Sequence, residues 1–217
     1  MAGPPDTGRA ATRSTRAWQR MLSGRRLDLL DPSPLDVEIT DIAHGLSRVP
    51  RWNGQTRGDH AFSVAQHVLL VETIAHRLEP GADADTRLFV LLHDAPEYVI
   101  GDMISPFKAV IGGDYKTVEK RLASAIHLRF SLPASPSRDV VALTKRADTI
   151  AAYFEATELA GFSEAEARRY FGIPRAITRD GLPIDPLPTA RAQSLFLDRF
   201  HALESERPGQ SWRGGAR

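Results

Sequence analysis

Cysteine is absent from the 217 residues. That excludes disulfides, thiolate nucleophiles, and zinc or iron–sulfur centres held by sulfur. A metal in this chain must be held by nitrogen and oxygen, so the seven histidines are the first residues to inspect. No run approaches the ~18 consecutive apolar residues that a membrane-spanning helix needs. A dominant charge of one sign is also missing. Lys and Arg number 28 against 27 Asp and Glu, and a net charge of +1 gives no global case for nucleic-acid binding. Clear period-two alternation never exceeds a few residues, and no internal repeat is visible, so strand signals are weak. What remains is ordinary for a globular protein: 42% apolar and 25% charged residues. The length suits one domain with a sizeable core.

The charge is unevenly spread. Residues 1–26 hold six arginines (Arg9, Arg13, Arg16, Arg20, Arg25, Arg26) against one aspartate. The rest of the chain is mildly acidic. Residues 1–27 therefore read as a basic, disordered segment, and residues 207–217, rich in Gly, Pro and Arg, as a flexible tail. No apolar region follows the basic start, so the expected compartment is the cytoplasm.

Between these ends the periodicity is helical, and the fold class expected for residues 28–206 is all-α. Thr40 or Asp41 can cap a short helix with Ile42, Ala43, Leu46 and Val49, which Pro50 stops. Arg51-Trp52-Asn53-Gly54 reads as a loop. A helix starting at Asp59 or Ser63 carries His60, Val64, His67, Val71, Ile74 and Leu78 at steps of three and four. Asp83 or Asp85 caps a third helix that runs into His93-Asp94, with a break or a new first turn near Pro96. Residues 101–106 form a loop. Helices are expected over 114–130 and 138–160, the latter ended by Gly161. Ser163 and Glu166 form a capping box. A final helix spans 189–206.

The strongest chemical feature is Leu91-Leu92-His93-Asp94-Ala95-Pro96-Glu97. An apolar run leads into adjacent His and Asp, and both can ligate a hard or borderline cation. Alone, the pair can also be a surface helix end. His67 lies inside the apolar stripe of its own helix, and Asp148 lies in the small-residue stretch Arg146-Ala147-Asp148-Thr149-Ile150. Each has an ordinary alternative: a core histidine bonded to a carbonyl, and an ion pair from Asp148 to Lys145 one turn back. One cation shared by His67, His93, Asp94 and Asp148 accounts for all of them together. His44, His60, His76, His127 and His201 are read as structural or surface histidines.

With these motifs the sequence resembles the HD-domain metal-dependent phosphohydrolases, whose signature is H…HD…D across a helical bundle. The matching segments are Ser63-Val64-Ala65-Gln66-His67, Leu91-Leu92-His93-Asp94 and Lys145-Arg146-Ala147-Asp148. Asp41-Ile42-Ala43, Arg51-Trp52-Asn53-Gly54 and Gly101-Asp102-Met103-Ile104-Ser105-Pro106-Phe107-Lys108 extend the match from about residue 28 to about residue 200. The similarity is greatest to the bacterial 5′-deoxynucleotidase and phage-type dATP triphosphohydrolase branch.

The resemblance implies an HD-domain helical bundle and one divalent ion (Mn, Co, Ni, Zn or Mg) on His67, His93, Asp94 and Asp148. It implies Glu97 as the residue that holds or deprotonates the attacking water, and Asp102 as the acid for the leaving oxygen. Lys108 and Lys145 match phosphate-contacting positions. Arg51 and Trp52 match an Arg–aromatic pair that binds phosphate and packs on sugar or base, although many relatives have Phe at the Trp52 position. Taken residue by residue, Lys108 can equally be a solvated charge, Arg51 a helix C-terminal charge, and Trp52 a core residue. The expected activity is hydrolysis of a (deoxy)nucleotide, as a 5′-nucleotidase or dNTP triphosphohydrolase. The alternatives are hydrolysis of a cyclic nucleotide or alarmone, and a non-catalytic nucleotide-sensing module. The expected partner is a small nucleotide, with no membrane and no nucleic acid, and with self-association as in relatives.

Overall fold

Side-chain caps set the start of four helices in the computed structural model, which describes residues 17–103 and 113–208. Ser63, Asp83, Ser137 and Ser163 each accept the backbone N–H three residues on. Such a cap is worth about 1 kcal/mol. At Ser163 the bond is reciprocated by Glu166, the expected capping box. Eight α-helices result among the described residues: α1 (Ile39–Leu46), α2 (Val64–Leu78), α3 (Ala84–Leu91), α4 (Glu97–Ile100), α5 (Gly113–Arg129), α6 (Arg138–Glu158), α7 (Glu164–Phe171) and α8 (Thr189–Glu206). A two-stranded antiparallel hairpin, β1 (Trp18–Arg20) and β2 (Arg26–Asp28), precedes them. The fold is all-α apart from this ribbon. Among the described residues no helix is long and apolar enough to cross a membrane.

Two apolar clusters hold the helices together. One gathers Leu27, Ile42, Leu46, Leu88, Leu122 and Phe196, joining β2 to α1, α3, α5 and α8. The other gathers Phe62, Leu70, Ile74, Ala147, Ala151 and Phe154, joining α2 to α6 and α7. The helix pair in most extensive contact is α2 with α6. Ala147 and Ala151, both fully buried, permit that close approach. The approach brings His67 on α2 opposite Asp148 on α6.

Several boundaries differ from the expected ones for local reasons. Residues 18–28 are not a tail. Leu27 is fully buried, and the hairpin turn is tied down where Ser23 donates its backbone N–H and hydroxyl to Asp41 at 3.0 and 2.5 Å. That task takes Asp41 away from capping, and α1 starts after Glu38 instead. α1 also ends at Leu46, so Val49 falls outside it. His60 is exposed and precedes α2, so it does not share the apolar face of His67. Arg207 is buried rather than part of a flexible end. Its guanidinium reaches Asp85, Glu204 and the carbonyls of Phe130 and Ser131. Residues 1–16 and 209–217 lie outside the described residues.

The chain turns through residues 92–96 and re-enters a helix at Glu97, directly after Pro96. This is the expected break, and it frees His93 and Asp94 from α3. Gly161, with φ 78°, closes α6 while Phe162 N–H donates to the Ala156 carbonyl at 3.0 Å.

Candidate metal centre

Three chain segments bring four side chains to one point. His67 comes from the second turn of α2, His93 and Asp94 from the turn after α3, and Asp148 from the middle of α6. Ligand atoms of His67, His93 and Asp148 lie within 4.8 Å of one another, a group that can hold a metal ion. Asp94 Oδ2 stands 3.4 Å from His67 Nε2 and 3.3 Å from His93 Nε2. Asp148 Oδ1 is 3.3 Å from His67 Nε2. Asp148 thus faces His67, as a shared cation site requires, rather than taking its ordinary alternative, an ion pair with Lys145. Lys145 is exposed, one turn earlier on the same helix.

The histidine tautomers follow from the opposite side of each ring. His93 Nδ1 lies 2.7 Å from the Val90 carbonyl, which only accepts, so Nδ1 carries the proton. His67 Nδ1 lies 2.5 Å from Glu155 Oε1. Glu155 is held at about 2: burial works against its charge, but Arg51, His67 and the Trp52 indole N–H outweigh that cost. It is therefore an ionised acceptor. Both Nε2 lone pairs are thus turned inward, and both Nε2 atoms are buried without a hydrogen-bond partner. Two orphaned buried nitrogens facing two carboxylates is the arrangement a divalent cation completes. The nitrogen and oxygen donor set suits the borderline first-row ions, and Mg as well.

Electrostatics agree with this need for positive charge. Burial and Arg51 oppose a proton on His67, yet Glu155, Asp148 and Asp94 together lift it well above its usual range. His93 rises against its burial because Asp94 and Asp148 face it. Asp94 is held well below the usual carboxylate range, against its burial, by His93 and His67. The site has a closed back and an open front. The His67 and Glu155 side chains are 0% exposed, whereas those of Asp94 and Asp148 are 26% and 42% exposed. Among the described residues the exposed side of the site is therefore the aspartate side.

Arg51 and Trp52 form the rim. The chain enters this turn through a bridge between Pro50 and Ser63, with Arg51 N–H on the Phe62 carbonyl at 2.8 Å, which registers it against the start of α2. Arg51 donates to Glu155 at 3.3 Å and to Asp102 at 2.9 Å. Trp52 donates its indole N–H to Glu155 at 2.8 Å. The Trp52 ring packs on Phe162 and Phe171 at centroid distances of 5.6 and 6.1 Å. It thus has the packing of a core residue together with a polar tether to the site. Trp52 and Asn53 are left-handed, with φ 55° and 51°. Each costs on the order of 1 kcal/mol or more for a residue with a side chain, and such strain concentrates at working sites. Glu97 is 2% exposed and opens α4 three residues after Asp94. Lys108 lies outside the described residues.

Glu155 escaped the sequence reading. Its only signal was its spacing, seven residues after Asp148 and so two turns along the same helix face. Its partners His67, Trp52 and Arg51 lie 88 to 104 residues away. Conversely, His127 behaves as a structural histidine, with Nδ1 3.2 Å from the Ala134 carbonyl and its ring edge-on to Phe89.

No family model matches the chain. A protein of Rhodobacter capsulatus, described only as uncharacterized, is 56% identical over 188 residues, covering 87% of this chain and 96% of its own length. The chain belongs to the same family as that bacterial protein.

Proposed function

We propose that this protein is a metal-dependent phosphohydrolase of the HD-domain type, acting on a nucleotide. The observation that carries the reading is the pair of orphaned Nε2 atoms of His67 and His93 facing Asp94 and Asp148, each ring anchored from behind through Nδ1. His67, His93, Asp94 and Asp148 would hold the divalent ion. A bound ion would polarise a phosphoryl oxygen and lower the pKa of a coordinated water.

The remaining roles belong to the protein's own groups. Glu97 is the base for the attacking water: it is buried, opens α4 three residues after Asp94, and its backbone N–H donates to the Asp94 carbonyl at 3.0 Å. Arg51 supplies fixed positive charge for a multiply anionic substrate, assisted by Lys145 on α6 and by Lys108. Asp102 is the acid for the leaving oxygen. In the substrate-free site Asp102 is paired to Arg51. A phosphate that takes the Arg51 guanidinium loosens that pair and frees the Asp102 carboxyl to face the departing oxygen. The Trp52 ring edge offers an apolar wall for sugar or base.

The deciding experiment assays the full chain, loaded in turn with Mn, Co, Ni, Zn or Mg, against nucleoside and deoxynucleoside mono- and triphosphates, cyclic nucleotides and an alarmone. The expected result is phosphate or triphosphate release from a simple nucleotide that His93→Ala abolishes. No release from any substrate, or release that survives His93→Ala, overturns the reading. A preference for the cyclic nucleotide or alarmone moves the substrate class while keeping the metal chemistry.

A further inference from the structure

Glu155 is fully buried on α6, and a carboxylate in such a place needs partners for both oxygens. They come from two different parts of the chain. Oε1 meets His67 Nδ1 of α2 at 2.5 Å. Oε2 accepts the Trp52 indole N–H at 2.8 Å and the Arg51 Nε–H at 3.3 Å, both from the turn at residues 51–54. The far side of the same imidazole is the orphaned Nε2. One carboxylate therefore stands between a metal-facing nitrogen and the turn that carries the candidate phosphate-binding arginine. That turn is held in a left-handed conformation at Trp52 and Asn53, which persists only where its surroundings enforce it. The Trp52–Glu155 hydrogen bond is one of the contacts that hold it.

We infer that Glu155 is a positioning residue that fixes His67 with Nε2 toward the cation and couples occupancy of the metal site to the Arg51–Trp52 turn. The inference rests on the metal-site reading above but not on any hydrolysis. With its Nε2 engaged by a cation, His67 would donate more strongly from Nδ1–H to Oε1. Negative charge then shifts away from Oε2, and its hold on the Trp52 and Arg51 donors weakens. Arg51 is released toward Asp102 and an incoming anion. Linkage makes the coupling reciprocal, so a change at Trp52 alters metal affinity.

The first test needs no variant of the site. Zn2+ is titrated into the 15N-labelled full chain, and the Trp52 indole resonance is assigned by its loss in Trp52→Phe. It is expected to move on metal binding, while the other two tryptophan indoles hold still. The second test measures Mn2+ affinity by EPR. Glu155→Gln keeps the shape and one acceptor oxygen, and it is expected to bind about 10–100-fold more weakly, as loss of such a supporting partner typically does. Trp52→Phe keeps the ring and removes only the donor, and it is expected to shift Mn2+ affinity by a few-fold. An indole that stays fixed at saturating Zn2+, or a Glu155→Gln affinity within two-fold of the wild-type chain, overturns the inference. Metal binding with a responsive indole but no nucleotide hydrolysis would sink the proposed activity and leave this coupling standing. Hydrolysis with a silent indole would do the reverse.

Discussion

Glu155 joins three groups that the chain supplies from distant positions, and its ionisation carries a measurable share of stability. Burial opposes its charge, but Arg51, His67 and Trp52 bring it from the usual 4.5 to about 2. The folded value lies below the unfolded one. The stabilisation is therefore present above pH 4.5 and is lost as the pH falls toward 2. A shift of that size corresponds to something on the order of 3 kcal/mol. Glu155→Gln should remove that contribution, so its unfolding free energy should fall less steeply than the wild-type value between pH 5 and 2.5, as read by urea unfolding monitored by circular dichroism. The histidines give a second expectation. His67 and His93 are both raised by the facing carboxylates, so a metal must displace protons to bind. Calorimetric titrations of Mn2+ in buffers of different ionisation enthalpy should show proton release, and affinity should rise from pH 6 to 8. The residue types themselves were readable from spacing. His67, His93, Asp94 and Asp148 stood out as polar groups on apolar faces, and the structure brings all four together. Glu155 did not stand out, because a buried glutamate on a helix is anomalous only once its surroundings are known.

Gly45 shows how little room the elements leave near the site. A Cβ there would meet the Cβ and the backbone oxygen of Tyr98, each at 2.7 Å, so α1 and α4 touch through a glycine. Backbone cannot yield as a side-chain tip can. Gly45→Ala should cost about 1–3 kcal/mol by overpacking, seen as a lower Tm. It should also push α4 outward and, on the proposed function, lower turnover more than metal affinity, because Glu97 opens α4. Most helices were legible from periodicity and caps. The core helices α2, α6 and α8 start where their signals said they would. α1 did not start at Thr40 or Asp41, since Asp41 is drawn to Ser23 eighteen residues earlier. A side chain that can cap locally will serve a tertiary partner instead when that partner buries it.

The ends of the fold are fastened by single residues. Leu27 is 0% exposed and pins the hairpin to the cluster of α1, α3, α5 and α8. Leu27→Ala should cost about 2–5 kcal/mol, measured by chemical denaturation, and Leu22→Ala, on the exposed turn of the same hairpin, should cost almost nothing. Arg207 gathers the last turn of α8, the start of α3 and the end of α5 through one guanidinium. Arg207→Ala should lower the Tm by several degrees, since it leaves Asp85 and two carbonyls without their donor. Composition made residues 1–27 and 207–217 look like tails, because short polar, Arg-rich stretches seldom bury surface. A single leucine and a single multivalent arginine suffice to reverse that in part.

The helical period, the caps, the absence of sulfur and the positions of four metal-competent side chains were all properties of local sequence. They follow from side-chain geometry and donor chemistry within a few residues. The tautomers of His67 and His93, the closed back and open front of the site, the service of Glu155 to both a ligand and the Arg51–Trp52 turn, and the anchoring of both ends were decided by the fold. Each depends on which groups meet across α2, α6 and the loops between them, at separations of up to a hundred residues, where only packing determines who stands next to whom.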